Sequence, residues 1–106
     1  FLVIRVGDII DRKELMGRLV AQQYTRNDMD LVRGTFRVRG DVIEVALGHT
    51  DAYILRIEMF DDEIERICEV DPLTGKMLNA YSVYVIHPAS GYATKQDIIN
   101  RAAKYD

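Results

Sequence analysis

The sequence is poor in the residues that carry most protein chemistry. Among 106 residues there is one cysteine, Cys68. No internal disulfide can form, a secreted disulfide scaffold is excluded, and a reducing cytosol is the natural compartment. The two histidines, His49 and His87, stand apart with no Cys or second His at ligand spacing, which argues against a metal site. No apolar run approaches the roughly 18–20 residues of a membrane span. The opening FLVIRV is too short for one and lacks the basic n-region of a signal peptide. Positive charge is also in deficit: the formal net charge is −3, whereas a free-standing nucleic-acid binder needs an excess of Lys and Arg. Gly34, Gly40, Gly48 and Gly91 do not assemble into a phosphate loop. The chain has neither internal repeats nor low-complexity segments. It begins without Met, directly in a strand-like run, so we expect a piece of a longer protein.

What remains is an ordinary soluble globular composition, 48% hydrophobic and 29% charged, long enough for one domain with one modest core. Phe1–Val6 has the β-branched and aromatic content of a strand. Asp11 followed by Glu14 is an Asp variant of the capping box, predicting a helix over 12–23 with Leu15, Met16, Leu19 and Val20 on its apolar side. An Asn27-Asp28 turn follows. TFRVRGDVIEV alternates strictly on both sides of Gly40-Asp41, the mark of a two-residue hairpin. In that register Val38 faces Ile43 and Phe36 faces Val45, while Arg37 lies across from Glu44 with Arg39 beside them. YILRIEMF alternates again, with Leu55, Ile57 and Met59 one way and Arg56 and Glu58 the other, and Asp61-Asp62 turns the chain. EIERICEV fits a strand or a helix, because Ile64, Ile67 and Cys68 also make a helical stripe. DPLTG is a turn, SVYVI a strand, and Thr94 with Asp97 opens an amphipathic C-terminal helix. The expected fold is α+β: a chiefly antiparallel sheet of about five to six strands with an N-terminal and a C-terminal helix.

Candidate chemistry is thin. Cys68 has no neighbouring base, so we expect a half-buried structural cysteine. Asp61, Asp62, Glu63 and Glu65 crowd one turn and its flank, the pattern of a solvated edge rather than of two carboxyls converging on a cleft. The informative feature is the arginine cluster Arg33, Arg37 and Arg39 in RGTFRVRGDVIEV. One reading is a wet sheet face whose arginines pair with Glu44 and Glu58. The other is a docking face, where the planar fork of arginine makes bidentate contacts with carboxylates. The six tyrosines, Tyr24 and Tyr53 among them, fit an interface or the edges of a core.

Together QYTRNDMDLVRGTFRVRGDVIEV, LRIEMFDDEIERICEVDPLTGKML and IHPAS resemble the second domain of the UvrB family, helicase-like damage-recognition subunits of bacterial nucleotide excision repair. The likeness covers about residues 3–92. A related module in the transcription-repair coupling factor matches the RNDMDLVRGTFRVRG stretch less closely. The resemblance implies a cytoplasmic interaction domain that docks onto the partner subunit UvrA, with contacts at Arg26, Arg37, Arg39 and Glu58, and Arg56 as a further candidate. It also implies an insertion in a helicase domain, to which a helix over 94–106 leads back. The ATP site and DNA-clamping hairpin of the full family protein lie elsewhere. We therefore expect no catalysis, cofactor, small-molecule ligand or membrane contact in this chain, and DNA contact only through the parent protein. Alternatives are the equivalent UvrA-binding module of the coupling factor and a basic-patch nucleic-acid module. This chain departs from the family pattern at VALG (45–48), where members usually read IFPA, and at Gly91, where a His is common.

Overall fold

The computed structural model describes residues 1–89. The chain opens with β1 (Leu2–Arg5), two residues shorter than the expected strand. It then passes through Gly7 and Ile10 to α1 (Arg12–Ala21). Asp11 is extended and its carboxylate accepts the Glu14 N–H at 2.9 Å, satisfying one orphan donor of the first turn. Leu15 and Leu19, one turn apart, are fully buried, whereas Met16 is half-buried and Val20 is exposed. The apolar stripe is thus narrower than the expected four-residue face, because Val20 sits about 100° round the helix from Leu19. The helix also stops two residues earlier than expected. The Gln22 N–H bonds to carbonyls of the last turn, and Gln23 takes φ 70, in the left-handed region.

Seven strands follow: β2 (Thr25–Arg26), β3 (Thr35–Arg39), β4 (Val42–Ala46), β5 (Ile54–Phe60), β6 (Glu63–Val70), β7 (Met77–Tyr81) and β8 (Val83–Ile86). Strands β2 to β7 form one six-stranded sheet in sequence order, antiparallel except for the parallel pair β2–β3. β8 leaves that sheet and pairs with β1 as a separate two-stranded sheet. The single sheet expected from sequence is therefore two sheets. The predicted C-terminal helix lies outside the described residues.

The β3–β4 hairpin has the expected register, with Phe36 opposite Val45, Arg37 opposite Glu44 and Val38 opposite Ile43. Gly40 takes φ 58 at the first turn position, a conformation side-chain-bearing residues adopt at a cost. Arg12 of α1 reaches this turn, donating to the Gly40 carbonyl and to the Asp41 carboxylate at 3.0 Å. EIERICEV is a strand. Glu58 pairs with Arg66 but Met59 pairs with Ile64, so Glu65 is the extra residue of a β-bulge. The bulge resets the side-chain phase and lets Ile64 and Ile67, three residues apart, both face the core.

That core lies on one side of the large sheet. Phe36, Ile43, Val45, Leu55, Ile57, Met59, Ile64 and Ile67 pack with Leu15 and Leu19 of α1 and with Leu2, Ile4 and Ile86 of the small sheet. Tyr24 belongs here too; its hydroxyl donates to the His87 carbonyl and accepts from the Gly48 N–H. Gly48, the last residue of the VALG departure, acquires a reason at this point. A Cβ on Gly48 would lie 2.8 Å from the Ala89 Cα, so glycine admits the close passage of the Ala89 backbone. The two sheets meet at Glu69, a buried carboxylate that accepts from the hydroxyls of Tyr81 (2.9 Å) and Tyr84 (2.8 Å). The bond to Glu69 holds the Tyr81 hydroxyl above the usual tyrosine range, with burial adding to it. For Tyr84 burial is the larger cause and the bond to Glu69 the second.

Candidate functional site

Strand alternation places Arg37, Arg39, Glu44, Arg56 and Glu58 on the side of the large sheet opposite the core. One row across the strands reads Arg37, Glu44, Arg56, Cys68, and the next reads Arg39, Val42, Glu58, Arg66. The Arg37 Nε donates to Glu44 Oε1 at 2.6 Å, with both side chains largely buried. Glu58 lies between two arginines, its Oε2 3.3 Å from Arg56 Nε and its Oε1 3.7 Å from Arg66 Nε. The Arg56 contact is a charge attraction off the hydrogen-bonding axis: the Nε is buried and makes no hydrogen bond among the described residues. Arg39 is exposed and has no side-chain partner among the described residues.

Arg26 sits elsewhere. On edge strand β2 its guanidinium is held by Asp28 at 3.0–3.2 Å and touches the Met16 sulfur of α1, so it borders the helix side of the sheet. Asp28 also accepts the Val38 N–H at 3.2 Å, covering the edge of β3 beyond the two-residue β2. The bond from Arg26, with the Val38 bond second, holds the Asp28 carboxyl below the usual range. The structure therefore brings Arg37, Arg39, Arg56 and Glu58 together and leaves Arg26 around the edge.

Two members of this face escaped sequence reasoning. Arg66 was hidden because the bulge obscured which way the residues of β6 point; pairing it with Glu58 by charge was the available signal. The second is a small apolar cluster on the same face, Ala46, Ile54, Cys68 and Val70, with Leu31 packed against it. Cys68 is fully buried there rather than half-buried. Burial pushes its thiol up, with the Glu58 charge adding to that, which suits packing and not nucleophilic attack. Arg33, at the apolar end, pairs with Asp51 at 3.2 Å.

Among the described residues, no three His, Cys, Asp or Glu converge as a metal-binding group, and no helix is long and apolar enough to cross a membrane. The arrangement is a mixed-charge surface on a rigid sheet, suited to matching charges on another macromolecule.

A family profile described as the UvrB interaction domain matches residues 2–92. The chain is similar to the UvrABC system protein B of Bordetella petrii, 46% identical over 101 residues, covering 95% of this chain and 15% of that protein. It is likewise similar to the proteins of the same name from Pseudomonas aeruginosa, 46% over 96 residues (91% and 14%), and Caldanaerobacter subterraneus, 50% over 103 residues (97% and 16%). The chain thus spans about a sixth of the length of the relatives it matches.

Proposed function

The chain belongs to the UvrB interaction domain family, and from that premise we propose that its charged sheet face docks onto UvrA in bacterial nucleotide excision repair. The observation that carries the reading is Arg39, exposed and unpaired among the described residues, one pleat from the Arg37–Glu44 pair and beside the Arg56–Glu58–Arg66 group. The Arg37–Glu44 pair and the Arg56–Glu58–Arg66 group fix the geometry of the face, and Arg39, with the surplus arginine of that group, leaves positive charge for the partner to match. In this reading Arg37 and Arg39 meet carboxylates of UvrA. Glu58 holds Arg56 and Arg66 in place, and Arg26 contributes from the sheet edge. The module is cytoplasmic, catalyses nothing itself, and meets DNA only through the longer protein.

Calorimetric titration of UvrA with the chain tests this. Arg39→Glu lowers affinity at least about ten-fold, the scale of a charged interface contact, with an unchanged melting temperature. Arg37→Glu combined with Arg39→Glu abolishes binding and also lowers the melting temperature, since it sets two carboxylates opposite each other at Glu44. Undiminished binding by the double variant would sink the assignment. The nucleic-acid alternative is separated by titrating DNA at low salt, where a phosphate-binding face shows affinity that falls steeply as salt rises.

A further inference from the structure

Away from the ion pairs, the same sheet face carries a recess that the docking reading leaves unused. It encloses about 410 Å³ and is lined by Leu31, Val32, Arg33, Ala46, Ile54 and Pro72 among others. Its floor is the apolar cluster of Ala46 and Ile54 with Leu31 against it. Both segments that border it leave large apolar side chains in water. Val32 (50% exposed) lines the recess from one, while Met29 (93%), three residues earlier in the chain, and Leu73 (94%), next to the lining Pro72, lie just outside it. Single exposed apolar residues are ordinary, but one that lines a concavity with an apolar floor, with further exposed apolar residues in the segments beside it, marks a binding surface.

The recess is continuous with the charged half of the face. Ala46 is two residues from Glu44 on β4, and Ile54 is two residues from Arg56 on β5. Two residues of strand span about 7 Å, so a partner lying on the ion pairs reaches the recess without a gap. Arg33 stands at its border, 54% exposed and, among the described residues, paired only with the 78% exposed Asp51. Such an exposed pair is held weakly and one carboxylate readily replaces another.

We infer that this recess is a socket for one apolar side chain of the partner protein, with a neighbouring carboxylate of the partner taking the place of Asp51 on Arg33. The inference rests on the docking reading and adds the chemistry of the partner segment to it. An apolar anchor in a pocket ringed by charged contacts is the usual composition of a strong protein–protein contact. The charged half sets orientation and association rate, and the socket sets residence time.

The test is UvrA binding by the whole chain at low and at high salt, with melting temperatures alongside. Val32→Glu is expected to weaken binding at least ten-fold at both salt concentrations, and Val32→Ile to bind as the parent does. The effect of Arg39→Glu instead shrinks at high salt, because screening removes it. Leu73→Glu, next to the lining Pro72 on the opposite side and almost wholly in water, repeats the measurement at a position where folding is not at stake. A parent chain that binds UvrA and loses binding through Arg39→Glu, yet binds normally as Val32→Glu and as Leu73→Glu, overturns the socket and keeps the docking reading. A parent chain that does not bind UvrA overturns both. A parent chain that dimerises in sedimentation, and becomes monomeric as Val32→Glu, assigns the recess to a second copy and overturns the inference.

Discussion

The two faces of the six-stranded sheet use the same strands for opposite ends. Toward the helix, Phe36, Ile43, Val45, Leu55 and Ile57 are removed from water almost entirely. There, side-chain volume and shape decide the outcome. On the other face Arg37, Glu44, Arg56 and Glu58 are partly buried and hold one another by charge. Burial stabilises the first face, at about 25 cal/mol per Å² of apolar surface. The second contributes little net stability, because desolvating ions offsets most of what their attraction returns. One sheet is therefore a structural wall on one side and an available surface on the other, and substitutions on the two sides should differ in kind.

Ile57→Ala should separate the faces most clearly. It removes a fully buried side chain from the middle of the core and is expected to cost about 2–5 kcal/mol by chemical denaturation. A cost below about 1 kcal/mol would mean that the core face is not what holds the sheet. Next in size is Tyr84→Phe, which takes one of the hydroxyl donors from the buried Glu69. The expected loss is about 1–3 kcal/mol, the penalty for leaving a buried acceptor short of its partner.

The same cluster predicts a pH response. Folding raises the pKa of both Tyr81 and Tyr84, so the folded state keeps these protons longer than the unfolded chain does. Their contribution is intact below about pH 10, the unfolded tyrosine value, and is lost as pH climbs through the raised folded values. Thermal unfolding followed from pH 8 to pH 11 should show this decline, and Tyr84→Phe should make it shallower. The smallest effects belong to the outer face. Arg37→Ala strands Glu44 and is expected to cost about 1 kcal/mol, whereas Arg39→Ala should stay within about 0.5 kcal/mol of the parent. Equal costs for the two would show that the paired and unpaired arginines are not energetically distinct.

The parts legible in the sequence are those where period-two alternation runs unbroken. The β3–β4 hairpin and β5 met that condition: the hairpin has the register its alternation implies, and the residues of β5 face the two sides as their alternation implies. β6 did not, because one inserted residue at Glu65 converts a two-residue period into the three-residue spacing of Ile64 and Ile67. The obscured phase also concealed Arg66, so the charged face read from sequence stopped at β5. β2 and β7 were missed for a different reason. Both are edge strands with exposed residues throughout, and an edge strand with no buried face leaves no alternation to detect. The pairing of β1 with β8 joins residues about eighty positions apart, and no local pattern encodes such a contact. Within the candidate site, composition and spacing supplied the arginines of β3. Arg26 rested on family resemblance alone, and it is the residue that lies around the edge.

The pairing of β1 with β8 also determines how the molecule bears a load. Leu2 lies opposite Ile86 and Arg5 opposite Val83, so tension on the two ends of the described chain acts at the same end of this ribbon. It would part the ribbon like a zipper, one rung at a time, rather than shear all its rungs together. Strain would be relieved there first, with the six-stranded sheet and its charged face still intact behind the Glu69–Tyr84 bond. The two-stranded ribbon would thus yield between the ends of the described chain and the charged face of the large sheet.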